Sequence, residues 1–142
     1  MHTPLTPRQT LLLLVPPMLA TAGFLRLYLH LVQVQHVYPG GYLVHHLFTG
    51  ILIVIPAAFV LAFGTRLLWV AVAARLALGI GAGLVLDEMT YLVMTKAGDD
   101  DYISSTSWVG AVVFIAAAVV LALGLCRWHS CKSGRHADQS AP

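Results

Sequence analysis

Asp87 and Glu88 stand side by side in LVLDEMTYLVMT, residues 84–95, one of the most apolar stretches of the chain. His45 and His46 form a second adjacent pair, in YLVHHLFTG. Neutral imidazoles and carboxylates are donors that Zn, Fe, Mn or Cu accept. Two of each meet the ligand count of a divalent transition-metal site, with His30 or Tyr91 as further candidates. Two other chemistries draw on the same residues. Set against Arg26, the carboxylates make a buried ion-pair network capped by the histidines, and such a network fixes helix register without necessarily adding stability. As titratable groups they also suit a proton or ion pathway, although the inner half of the spans offers no relay to continue it. The adjacent His-His and Asp-Glu pairs differ from the Glu-x-x-His spacing of di-iron bundles.

The elements that carry these residues follow from composition. The chain has 142 residues, 58% apolar and 10% charged, against about 25% charged in soluble domains. Four apolar runs, about 11–34, 43–63, 76–95 and 107–126, each have roughly the 17–25 residues that cross a hydrocarbon core as a helix. Backbone groups in lipid must be satisfied within the segment, and runs without period-2 alternation mean helices. The expected fold is all-α: a polytopic membrane four-helix bundle, up-down-up-down, over residues 1–126, with a flexible cytoplasmic tail at 127–142. Ala20-Thr21-Ala22 resembles a signal-peptide cleavage site, but the apolar run continues past it, so a retained first span is expected. Pro16 and Pro17 should kink that helix or mark its start.

Lys and Arg near helix ends set orientation. Arg8, Arg66, Arg75, Arg127, Lys132 and Arg135 fall on one face; the loops HVYPGG and KAGDDDY fall on the other. Both termini are therefore expected in the cytoplasm, with the chain multi-pass in the cell (inner) membrane. Thr65–Arg75 suits either an interfacial segment anchored by Trp69 or the start of the third span. At 1.5 Å per residue, Arg26, His30, His45, His46, Asp87, Glu88 and Tyr91 all lie in the outer half of the bundle. Arg26 and His30 are i,i+4, as are Asp87 and Tyr91. Adjacent helix residues point about 100° apart, so Asp87 and Glu88 need not share a partner. One suits the bundle axis and the other a neighbouring helix.

Gly79 and Gly83 form a GxxxG pair that admits another helix backbone, whether from this chain, from a second copy in a homo-oligomer or from another membrane partner. Ser104 to Ser107 supply N-cap candidates for the fourth span. His36, Tyr38, Tyr42 and Tyr102 fit an interfacial aromatic belt, and Asp99, Asp100 and Asp101 read as a solvated run. The net charge of +2, with scattered Lys and Arg, gives no nucleic-acid surface; the lipid bilayer is the expected partner. Cys126, His129, Cys131 and His136 match no ordinary zinc spacing. No Ser-His-Asp order, phosphate loop, HExxH or CxxCH occurs.

Taken together, VHHLFTG, GIGAGLVLDEMTYL and GDDDYISSTSWVGAVV resemble an uncharacterised group of prokaryotic four-helix integral membrane proteins. Its members open span 2 with His-His, end a glycine-rich span 3 in Leu-Asp-Glu or Val-Asp-Glu, and carry an Asp-x-Tyr loop before the last span. The matching positions are His45, His46, Gly50, Asp87, Glu88, Asp100 and Tyr102, over roughly residues 42–113. Many members have another His where this chain has Leu43. The resemblance implies the fold and raises Asp100 and Tyr102 into the supporting polar layer with Arg26, His30 and Tyr91; it names no reaction. Two functions follow. One is an intramembrane polar site near the outer face that binds a divalent metal, serving, if catalytic, a lipid or small apolar molecule. The other is a non-catalytic scaffold or accessory subunit whose ion pairs fix helix packing.

Overall fold

The computed structural model describes residues 5–32, 45–95, 99–102 and 104–139. The elements are α1 (Pro7–Val32), α2 (His46–Phe63), α3 (Leu68–Met94), a single turn α4 (Asp99–Tyr102) and α5 (Ser105–Gln139). Among the described residues every regular element is helical. The four long helices are apolar and long enough to cross a membrane. Burial is inverted relative to a water-soluble bundle. Phe24, Leu31, Leu52, Phe59, Phe63, Val93, Val109 and Leu121 are exposed, while Arg26, Asp87, Glu88, Thr90 and Ser107 are buried. An apolar exterior around a polar interior fits a bilayer as solvent.

Helix α3 is the hub. It packs against α1, α2 and α5, and α1 also packs against α5, but α2 approaches no other described helix backbone than α3. Small residues explain this closeness. A Cβ at Gly79 would lie 2.5 Å from the Leu14 carbonyl oxygen, and one at Gly83 would lie 2.6 Å from that of Met18. The GxxxG stripe is thus covered by the chain's own α1. Gly81, between them in sequence, turns to the opposite neighbour: a Cβ there would meet the Gly50 carbonyl oxygen at 2.8 Å. GIGAG therefore seats one helix on each side of α3 by backbone proximity alone.

Several boundaries differ from expectation. Helix α1 starts at Pro7, so Pro16 and Pro17 lie within it rather than at its start. Residues from Leu68 onward belong to α3, which places Trp69 and Arg75 in the helix and leaves only a short turn before it, with Gly64 at φ 74°. Arg75 turns its guanidinium back to the Ala71 carbonyl (Nη1 to O, 2.9 Å), toward the end where α3 begins. Helix α5 runs unbroken to Gln139, well past the expected tail boundary at 127. SCKSGRHADQ holds one glycine, Gly134, and no proline intervenes before Pro142. His36, Tyr38, Tyr42, Leu43 and the side chain of Asp100 lie outside the described residues.

Candidate functional site

The geometry of α1 against α3 decides what Arg26 can reach. Leu14 meets Gly79 and Met18 meets Gly83, so the two helices run parallel at a constant offset. That offset sets Arg26 level with Tyr91 and His30 level with Thr95, where α3 ends. Long helical side chains lean back toward their own N-terminus, and Arg26 leans down onto Asp87. Its Nε donates to Asp87 Oδ1 at 2.6 Å. Nη2 donates to the Asp87 carbonyl at 2.9 Å and to Ser107 Oγ at 3.0 Å, and Nη1 to the Tyr102 carbonyl at 3.1 Å. The guanidinium also lies over the rings of Tyr102 (4.5 Å) and Trp108 (5.1 Å). One planar fork on α1 thereby ties α3, α4 and α5 together. His30 is exposed and joins none of these bonds: i,i+4 placed it on the same face, but one turn above the layer.

Asp87 is completely buried, and both its carboxylate oxygens are engaged. Oδ1 takes Arg26; Oδ2 takes the Tyr102 hydroxyl in a short hydrogen bond. Burial, and then the neighbouring Asp87 carboxylate, hold the Tyr102 phenol above its usual range. Tyr102 therefore remains a protonated donor at neutral pH.

Glu88 points the other way, to α2. Its Oε1 meets His45 Nδ1 at 2.5 Å and its Oε2 accepts the Leu47 backbone N–H at 2.6 Å. His45 occupies the N-cap position of α2 but makes no side-chain cap bond. An orphan N–H at the start of α2 is thus satisfied from a different helix, by a carboxylate whose charge also suits that helix end. Asp87 and Glu88 thus turn to different helices, α1 and α2, with His46 near both.

His46 bridges the two halves of the layer. Its Nε2 lies 3.3 Å from Asp87 Oδ2 and its Nδ1 lies 3.3 Å from Glu88 Oε2. The Nε2 contact makes no hydrogen bond in this geometry. The His46 ring meets Tyr102 edge-on at 5.9 Å, and Tyr91 packs against both Tyr102 (5.4 Å) and His45 (6.0 Å). An aromatic layer therefore shields the ion pairs.

All four candidate metal ligands come together, yet in pairwise contacts rather than a coordination shell. Each carboxylate oxygen already has a hydrogen-bond partner, and the Arg26 cation sits directly on Asp87. No group of three or more His, Cys, Asp or Glu among the described residues is placed to hold a metal ion.

Sequence reasoning missed two groups. Ser107, read only as a cap candidate, is completely buried and accepts from Arg26 through its hydroxyl and, at 3.3 Å, its carbonyl. The cap itself is Ser104, whose Oγ accepts the Ser107 N–H. Trp108 forms one wall of the guanidinium slot. Neither had a signal beyond its position at the start of a span. The chain matches no family model, no curated protein and no solved structure.

Proposed function

We propose that this chain is a non-catalytic membrane scaffold or accessory subunit, multi-pass in the cell (inner) membrane, whose buried ion-pair network fixes how its helices pack. One observation carries the reading: each carboxylate oxygen of Asp87 and Glu88 is matched to a partner from another element. A catalytic metal site keeps a position open; here each carboxylate oxygen already has a partner within the chain. Intramembrane ionisable groups cost about 3 kcal/mol each at helix centre, and pairing them across helices penalises any register that separates them. Both termini lie in the cytoplasm in this reading. Supporting that, Arg8, Arg66, Arg75, Arg127 and Lys132 fall at one end of the helices and Asp99–Asp101 at the other.

The test is thermal unfolding in detergent, with and without a chelating wash, of the wild type and Asp87→Asn. The scaffold reading expects Asp87→Asn to lower the melting temperature equally in both conditions, and wild type to be indifferent to the wash. A wild-type melting temperature that falls on chelation and returns with one divalent metal would restore the metal reading. Elemental analysis of the purified protein would then show that metal at near-stoichiometric level.

A further inference from the structure

The helical continuation of α5 changes what the C-terminal basic residues can do. Ser105 to Arg127 is about 33 Å of helix at 1.5 Å per residue, close to the roughly 30 Å hydrocarbon thickness. Arg127 thus emerges at the far boundary of the bilayer from the polar layer. Arg127, Trp128 and Lys132 are all exposed, Trp128 by 69%. Trp128 stands at the depth where an indole anchors in the headgroup region. Because the backbone stays helical to Gln139, these side chains are fixed along a rod rather than spread through a random tail. Arg66, in the turn before α3, and Arg8, on the first turn of α1, are exposed at the same end. Arg75 folds its guanidinium toward that end as well. No Asp or Glu occurs in residues 1–86 or 102–137 to neutralise this belt.

We propose that the α5 extension, through Arg127, Trp128 and Lys132, binds the headgroups of anionic phospholipids and so draws such lipid to that end of the bundle. The occupant is a lipid headgroup because the cations sit at the membrane boundary beside an exposed indole, with apolar side chains immediately below them. Leu125 and Leu123, both exposed, continue the surface into the acyl region. A soluble anion would find the charges but leave the indole and leucines without a partner. Each cation near an anionic surface favours it by an amount equivalent to a several-fold local enrichment, screened by salt.

The experiment uses the full chain reconstituted in bilayers of equal phosphatidylglycerol and phosphatidylcholine. Trp69→Phe and Trp108→Phe leave Trp128 as the single fluorophore, and either the anionic or the zwitterionic lipid carries bromine. Quenching of Trp128 about twofold or more stronger with brominated phosphatidylglycerol is expected. Arg127→Gln/Lys132→Gln should bring the two lipids to equality. Equal quenching before the charges are removed, or a preference that persists afterwards, overturns the proposal. A second measurement leaves all three tryptophans in place. Phosphatidylglycerol added to the detergent-purified chain should raise its melting temperature more than phosphatidylcholine does, and the Arg127/Lys132 variant should lose that difference; a variant that keeps it counts against the proposal. Trp108→Phe removes a ring that lies over Arg26, so the second measurement, with all three tryptophans in place, separates this proposal from the scaffold reading: it scores the lipid difference lost with Arg127 and Lys132, not the pairing of Asp87.

Discussion

The two halves of α3 hold their neighbours by different physics. In the N-terminal half, Gly79, Gly81 and Gly83 let α1 and α2 approach until backbones touch, with no directed bond. In the C-terminal half, Asp87 and Glu88 reach the same two helices through hydrogen bonds. The glycine half sets distance and tolerates sliding, since van der Waals contact between smooth surfaces has little register preference. The carboxylate half sets register, since a shift of one residue leaves a charge unpaired in a medium that cannot solvate it. A membrane bundle has no hydrophobic driving force between its helices, so distance and register need separate devices, and this chain places them one above the other on a single helix.

That contrast can be broken most severely at Arg26. Arg26→Ala leaves Asp87 buried and unpaired, and unfolding in detergent should show a loss of about 3–5 kcal/mol. Gly79→Ala attacks the other half by pushing a methyl group into the Leu14 carbonyl. Overpacking of this kind costs about 1–3 kcal/mol, and its signature should be a loosened α1 with the Arg26–Asp87 pair still formed, readable by cysteine cross-linking between the helices. If Gly79→Ala instead disrupts the polar layer as fully as Arg26→Ala does, the two halves are not separable and the comparison fails.

Tyr102→Phe removes a buried donor to a charged acceptor and should cost about 1.5–3 kcal/mol, while Ser107→Ala removes one acceptor from an Arg26 guanidinium that keeps its other partners and should cost about 0.6–1.7 kcal/mol. The smallest effect sharpens the glycine argument. A Cβ at Gly23 would meet nothing within 4 Å, so Gly23→Ala should be neutral or stabilise α1 by about 0.5–1 kcal/mol. A destabilisation there equal to that of Gly79→Ala would mean that helix flexibility, not close approach, explains the glycines.

The spans and their number were legible in the sequence, because each is a local property: apolar run length fixes a helix. The divergence of Asp87 and Glu88 was legible too, since 3.6 residues per turn separates neighbours whatever they touch. The end of α5 was not, because SCKSGRHADQ is polar enough to read as tail while holding no strong helix breaker. His30 was mislaid for a different reason: periodicity gives a residue's face but not its height against the next helix.

Composition and periodicity, then, determined by themselves that this is a membrane helix bundle with a charged layer toward one side. Only the tertiary structure decided which charge meets which. Gly79 and Gly83 bring the α1 backbone against α3, and the Arg26–Asp87 pair then fixes the parallel offset at which the two helices rest. Helix α2, seated on the opposite side at Gly81 by the same means, delivers His45 and the Leu47 N–H to Glu88. Pairing between residues 41 to 81 positions apart depends on how two surfaces interlock, and no local pattern encodes that.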